Sequence, residues 1–424
     1  MTATPFIDRA VGWTVAARAW AVLAGPVSVV LIATHLTPDE QGFYYAFASI
    51  VAFQLLFDLG LGFVVAQFAS HEKALNQTAR LATLLRKTLR WYAVAAMLTS
   101  ASLLIFGTLF FASKGTVVWR GPWMALAILA GGALFITPLL ALLEGCGEVG
   151  DVARVRAWQI AASNIAAWSV FLAGGRLWAS PAITGASLLV GLTWILLTRR
   201  RFFLELLRTP PAPMSWRDEV WPFQWRIALS WIASYLIVHL FIPVLFTARG
   251  PAEAGRLGMS ITLVSAMFIA ATAPLTTKAP LFGTLVARRD FAALDARFFP
   301  TMWRSVAVMV LGSAALFAGL LLLRSSGHRW SARLLDPLPF ALLLGALLAN
   351  TIAFAEAVYL RAHKREPFLG VYIATALVIV PATFVLGRAY GATGMMLGYF
   401  AATAIVTLGG GTWVFHRKRR EWHA

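Results

Sequence analysis

The sequence predicts an all-α polytopic membrane protein of about 12 transmembrane helices, arranged as two pseudo-symmetric six-helix lobes with both termini cytoplasmic. Three observations predict it. Hydrophobic residues make up 59% of the chain and charged residues 13%, with a mean hydropathy of +0.74, whereas soluble domains carry about 25% charged residues. Apolar stretches of bilayer length follow one another along the chain, without the ten-residue alternation of a membrane barrel. Finally, Pro38-Asp39-Glu40-Gln41-Gly42 recurs as Pro251-Ala252-Glu253-Ala254-Gly255. Both read Pro-x-Glu-x-Gly, and the offset of 213 in a chain of 424 means that the second half restarts where the first ends.

The predicted spans, in order, are 12–34, 43–67, 90–112, 121–143, 155–174, 177–198, 226–247, 257–282, 303–323, 338–360, 367–387 and 394–415. A short polar head (Thr2, Thr4, Asp8, Arg9) leads straight into the first span, with no small-residue cleavage site. The second and eighth spans are long enough to bend, and Pro274 and Pro280 give the eighth a cause. Span 338–360 is apolar on every face apart from Asn350, Thr351 and Glu356. With the N-terminus inside, 26 of the 36 Lys/Arg fall in inner segments and 9 in outer ones, Arg18 lying within the first span. Inner runs such as Arg86-Lys87, Arg199-Arg200-Arg201, Arg288-Arg289 and Arg417-Lys418-Arg419-Arg420 supply the bias that the positive-inside rule requires. The net charge of +18 then reflects topology and attraction to anionic membrane lipid. No soluble domain presents these runs, so nucleic acid is not an expected partner.

The domain reading follows: 1–200 as the N-terminal lobe, 201–225 as a cytoplasmic linker, and 226–424 as the C-terminal lobe. Pro210, Pro211 and Pro213 suit a semi-rigid connection. Trp216, Trp221 and Trp225 suit the membrane interface. Cys146 is the single cysteine, so no disulfide framework exists. No P-loop, H-E-x-x-H or Cys/His cluster is present, so no metal, cofactor or ATP site is expected. Gly145-Cys146-Gly147-Glu148-Val149-Gly150 matches a dinucleotide pattern, but with no strand before it the match is chance. The outer loops, the longest about Arg324 to Asp336, are too short to carry catalytic groups, so an enzyme is not expected.

Ionisable groups at bilayer depth are functional candidates because burying them is costly. Arg18 and Asp58 each lie 20 positions from Pro38. An antiparallel hairpin of the first two spans sets them at one depth, with Gln54 one turn from Asp58 on the same face. Two readings stand: a polar cavity wall that binds an anionic head group or a coupling proton, or a buried ion pair holding the hairpin. Lys278 lies between Pro274 and Pro280, where it marks a broken-helix site or snorkels toward inner head groups. His239, four residues after Tyr235, lies near the middle of the seventh span and is either a proton relay or a neutral hydrogen-bond partner. Glu356 has no cation within one turn in sequence and is a coupling candidate.

The first seventy residues resemble the Wzx-like polysaccharide-transporter branch of the multidrug/oligosaccharidyl-lipid/polysaccharide (MOP) flippase superfamily. The resemblance rests on Trp13 and Arg18, then Leu36-Thr37-Pro38-Asp39-Glu40-Gln41-Gly42-Phe43-Tyr44. Phe57-Asp58-Leu59-Gly60-Leu61-Gly62 and Gln67-Phe68-Ala69-Ser70-His71-Glu72 follow. It implies a flippase that moves a polyprenyl-pyrophosphate-linked oligosaccharide across the bacterial inner membrane by alternating access. Arg18 corresponds to a cavity cation, and other polysaccharide-assembly proteins are expected partners. The offset of 213 carries Arg18 onto Trp231 and Trp13 onto Arg226, so the second half does not repeat that cation. The alternatives are a multidrug/cation antiporter of the same superfamily, which favours an acidic cavity, and a non-enzymatic membrane partner in polysaccharide assembly.

Overall fold

Backbone amides inside a bilayer find no water, so a spanning chain must satisfy them within itself, and a helix does so locally. The computed structural model describes residues 5–112, 117–363 and 365–423, and among these there is no strand. The side chains of Arg226 and Trp231, the repeat positions of Trp13 and Arg18, lie outside the described residues. The chain divides into two compact units, Met1–Tyr235 and Leu236–Ala424.

The first unit contains α1 (Pro5–His35), α2 (Pro38–Val51), a 3-10 turn (Ala52–Gln54), α3 (Leu55–Asp58), α4 (Leu61–Ala74), α5 (Thr78–Phe111), α6 (Arg120–Gly145), α7 (Val149–Leu172), α8 (Ala179–Trp194) and α9 (Arg200–Arg208). α10 (Trp221–His239) straddles the boundary. The second unit contains α11 (Phe241–Arg249), α12 (Pro251–Ala287), α13 (Phe291–Ser325), α14 (Pro337–Arg361), α15 (Leu369–Ala402) and α16 (Gly411–His423). Eight helices among the described residues are long and apolar enough to cross a membrane, and the bent pair Pro38–Asp58 with Leu61–Ala74 adds a ninth.

One of the eight, Leu369–His423, runs 55 residues, roughly twice the length that crosses a bilayer. It is two spans. Gly391 breaks it at φ 62, and the chain folds back on itself there. Thr375 and Thr407 share a hydrogen bond at 2.9 Å, and Gly398 packs against Ala382 and Leu386. The predicted spans 367–387 and 394–415 are the arms of this hairpin. α7 and α8 form the matching hairpin of the first unit, with Gln159 Nε2 donating to the Ser187 carbonyl at 2.9 Å and Ser163 to Ile183 at 2.9 Å. α7 carries Gln159, Ser163 and Asn164 and falls outside the eight. The predicted span 226–247 is broken at Leu240 between α10 and α11.

Two expectations about bends resolve differently. The second span bends by 41°, because Leu59 and Gly60 are both left-handed, with φ 49 and 67. The eighth does not break: α12 continues through Pro274 and Pro280.

The repeated turn has one job in both halves. Thr37 caps α2, accepting from the Glu40 amide at 3.2 Å, while Glu40 Oε2 accepts from the Thr37 amide at 2.8 Å. Glu40 Oε1 then pairs with Arg176 at 3.0 Å, at the α7–α8 turn. In the second unit, Glu253 Oε1 accepts from the Ala392 amide at 2.7 Å, at the α15 hairpin. Each Glu therefore ties the turn between a unit's first two spans to the turn between its last two. We predict that Glu40→Ala costs about 1 kcal/mol, the usual value of a lost cap, whereas Arg176→Ala costs only a few tenths because its guanidinium is largely exposed. Thermal unfolding in detergent should rank the two in that order, and equal losses would contradict this account of Glu40.

The segment expected to be a linker is fastened to the first unit. Thr83 donates to the Ala212 carbonyl at 2.8 Å, Arg86 to Thr209 at 2.7 Å and to Leu207, and Lys87 to Met214. Arg80 bridges Glu72 at 3.1 Å and also pairs with Glu219. The Ser215 amide and Arg80 together hold the Glu219 carboxyl below the usual range. Phe203 and Leu206 of α9 and nearby Met214 and Val220 enter the same buried cluster as Leu81, Leu84 and Leu85 of α5. The Arg86-Lys87 run is thus more than a topology signal: its side chains satisfy carbonyls at the end of α9 and in the proline segment that follows it.

Candidate functional site

Asp58 ends α3 at the break in the second span, and only 6% of it is exposed. The Tyr92 hydroxyl of α5 donates to its Oδ1, and the Gly60 amide donates to the same carboxyl. Tyr92 is fully buried. Gly62, one residue into α4, faces the Tyr92 hydroxyl and Thr137 of α6. The break therefore shapes the site: two left-handed residues turn an amide back onto the carboxyl that ends the preceding helix. Gln54 lies in the 3-10 turn before α3, and its Oε1 is buried without a hydrogen-bond partner among the described residues.

Arg18 occupies a different place. α1 lies along α7, with Trp13 against Trp158 at 6.5 Å, Trp20 against Trp168 at 5.9 Å, and Trp168 Nε1 donating to Ser28 at 2.9 Å. Arg18 lines a cavity of about 350 Å³ with Thr14, Glu144 and Arg156 over a floor that includes Val152 and Ile160. Arg156 pairs with Glu144 at 2.7 Å. The expected packing of the first two spans on each other is corrected here. Tilted tryptophan pairs join α1 to α7, whereas the second span below its bend packs on α5 and α6. Arg18 and Asp58 accordingly have different surroundings. A second cavity of the unit, about 540 Å³, surrounds the Glu40–Arg176 pair with Asp39 and Trp178.

In the second unit Glu356 is 4% exposed on α14. Its described partner is the Thr412 hydroxyl of α16, at 2.9 and 3.1 Å from the two carboxylate oxygens. Gly411 allows this approach: a Cβ there would lie 2.8 Å from the Phe368 ring. Lys278 Nζ donates to Thr301 of α13 at 2.9 Å, so the ammonium is held between helices. His239 is the last residue of α10, at the break before α11 rather than within a continuous span. Asn350, also on α14, donates to the Tyr399 hydroxyl at 3.0 Å.

One cluster escaped sequence reading. Asp295 of α13 accepts from Tyr359 at 2.6 Å and pairs with Arg419 of α16. His363 and His423 bring their Nε2 atoms to 3.3 Å. Arg419 belongs to the terminal basic run, where an ion-pairing side chain looks like any positive-inside charge. Only the fold brings its partner, 124 positions away, alongside it.

No family model and no curated protein sequence matches the chain. Solved structures do match its fold. An inward-facing multidrug resistance MATE family transporter of the MOP superfamily aligns with a TM-score of 0.66 at 13% identity, covering 94% of this chain and 95% of that one. The MATE multidrug transporter DinF-BH, solved as a complex, aligns at 0.60 and 14%, covering 98% and 97%. A MOP superfamily transporter from Pyrococcus furiosus, described by the reverse polarity of its binding pocket and a suggested different function, aligns at 0.54 and 13%, covering 97% and 95%. The chain has the MATE-like all-helical membrane fold.

Proposed function

We propose that this chain is a secondary transporter working by alternating access, and that it exports organic cations in exchange for a proton or a small cation. The observation that carries the reading is a pair of buried carboxyls, one in each unit. Asp58 is held by Tyr92 and the Gly60 amide, and Glu356 by Thr412. Among the described residues neither has a cationic partner. An unpaired carboxylate costs several kcal/mol to bury, so such a group is driven to bind a positive species, and two competing cations can occupy it in turn. Likeness to multidrug transporters of the same fold supports this choice.

A second reading keeps the lipid-linked oligosaccharide as substrate. The Arg18 cavity, with Arg156 beside it and an apolar floor, favours it, as does the turn sequence Leu36 to Tyr44. Guanidinium groups recognise phosphate oxygens in a bidentate fashion.

Two assays separate the readings. Cells lacking their own drug exporters should extrude ethidium when they carry the wild type. Asp58→Asn, at equal protein level, should slow extrusion roughly tenfold or more, the effect of about 1.4 kcal/mol on a rate. A strain lacking its oligosaccharide flippase should be unaffected by the chain on this reading. If the glycan instead reaches the outer side with the wild type and not with Arg18→Ala, the flippase reading replaces the first.

A further inference from the structure

We propose that α16 is held at the end of the second unit by a histidine pair, His363 and His423, that releases when protons accumulate on both rings. The geometry sets the hydrogens. His363 Nδ1 lies 3.2 Å from the carbonyl of Tyr359, one turn back on α14. A carbonyl can only accept, so that nitrogen carries the hydrogen. The Nε2 lone pair of neutral His363 then faces Nε2 of His423 at 3.3 Å, and His423 supplies the single hydrogen between them. Phe291 of α13 stacks on His423 at 4.0 Å and 11°, and Trp422 lies against His363 at 4.9 Å. Tyr359 of α14 lies 5.7 and 5.9 Å from the two rings, so the pair is fixed by rings from three helices.

The surrounding charges leave no sink for two protons. From α13 comes Asp295, whose carboxyl already receives Arg419 and Tyr359. From α14 comes Tyr359, whose hydroxyl also lies 3.4 Å from His423 Nε2. The α14–α15 connection brings Arg365, which stacks over Trp422 at 5.3 Å, and Glu366, which is paired with Arg361 at 2.7 Å. α16 itself brings Arg419. One proton can be shared across the ring pair. A second leaves both Nε2 atoms bearing hydrogen and positive charge at 3.3 Å, with Arg365 nearby. Burial, and then Arg365, hold His363 below the usual histidine range. The docked ring binds protons more weakly than the free one. Docking is therefore complete above the free-histidine range near pH 6.5 and is lost as pH falls below it.

The consequence reaches the buried carboxyl. α16 touches α14 at this latch and again where Thr412 meets Glu356. Loosening the latch frees the helix that carries the only described partner of Glu356. The inference concerns α16 alone and does not depend on which substrate is moved.

Hydrogen exchange of the full chain in detergent tests it, read on the peptide covering 411–423 and corrected for the intrinsic pH dependence of exchange. Lowering pH from 6.5 to 5.5 should speed exchange of α16 roughly fivefold for each proton taken up on opening, since the free ring titrates near 6.5. His363→Gln and His423→Gln each keep a polar group of similar reach but cannot titrate, and each should flatten the profile to less than threefold. Unchanged protection of the wild type between the two pH values would overturn the latch. So would a profile that survives in both Gln variants and vanishes in Glu356→Gln, which would place the sensing group at the carboxyl instead.

Discussion

On the proposed antiport, Glu356→Gln should leave the protein folded and inserted while abolishing exchange of substrate for the coupling cation. Gln has nearly the same volume, and its Oε1 can still accept from Thr412, whose hydroxyl lies at 2.9 and 3.1 Å from the carboxylate oxygens. What Gln cannot do is bind and release a proton or carry a negative charge. In the apolar interior formed by Ala353, Ala357, Leu360 and Phe415, no described cation takes over that role. The expected loss is at least about a hundredfold in coupled efflux, corresponding to some 2.7 kcal/mol of transition-state stabilisation. Thermal stability should change by less than about 1 kcal/mol, since no volume is removed. Transport in inverted vesicles under an imposed pH gradient, with expression matched by quantitative blotting, reads the coupling, and a melting curve reads the stability. Retention of wild-type coupling would remove Glu356 from the mechanism and leave Asp58 as the sole carboxyl candidate.

The largest stability effect is expected at Gly391. The hairpin between the last two spans turns at this residue with φ 62 and ψ −145, a region that residues with a Cβ scarcely enter, at about 1–3 kcal/mol each. A Cβ built there lies 2.6 Å from Glu253 Oε1 and 3.4 Å from its Cδ. Alanine would therefore strain the turn and also push Glu253 off the Ala392 amide that it accepts at 2.7 Å. Losing a charge-assisted hydrogen bond costs about 1.5–3 kcal/mol more. Gly391→Ala should accordingly lose at least about 2.5 kcal/mol and lower the melting temperature by about 5 °C or more. Gly319→Ala is the control. Nothing lies within 4 Å of a Cβ at Gly319, and inside α13 alanine is the better helix former, so the change should be neutral or slightly stabilising. Melting curves followed by fluorescence detection of size-exclusion peaks would sink the account if the two variants matched.

The tie between Glu253 and Ala392 and the tie between Glu40 and Arg176 explain why one short pattern occurs in both halves. A turn at the end of two apolar helices has unsatisfied amides, and a carboxylate placed by proline at the helix start can cap its own helix or reach across to a neighbouring turn. In the first half Glu40 does both, because Thr37 forms a capping box with it. In the second half the position before the proline is Gly250, which offers no side chain, and Glu253 turns an oxygen to the hairpin instead.

Much of the architecture was legible in the chain alone. Length and hydropathy are local properties, so the spans, the two halves and the paired Pro-x-Glu-x-Gly turns could be read directly. The same holds for Asp58 and Glu356, since an acid inside an apolar stretch is conspicuous wherever it ends up. Which helices pack together is a different kind of fact. Arg18 and Asp58 are equally far from Pro38, which made them look like partners. Tryptophan contacts along α7 and two left-handed residues at Leu59 and Gly60 separate their surroundings. Arg86 and Lys87 read as topology charges until the carbonyls of the linker come to meet them. The cluster of Asp295, Tyr359, His363, Arg419 and His423 has no pattern in sequence, because its members come from three helices and a connecting turn. Where the chain can cross the membrane is thus written in its order of residues, through the cost of exposing polar backbone to lipid. The partner of each buried polar group is written only in the packed molecule. In an interior nearly uniform in hydrophobicity, side-chain shape and a few directional hydrogen bonds select the neighbours.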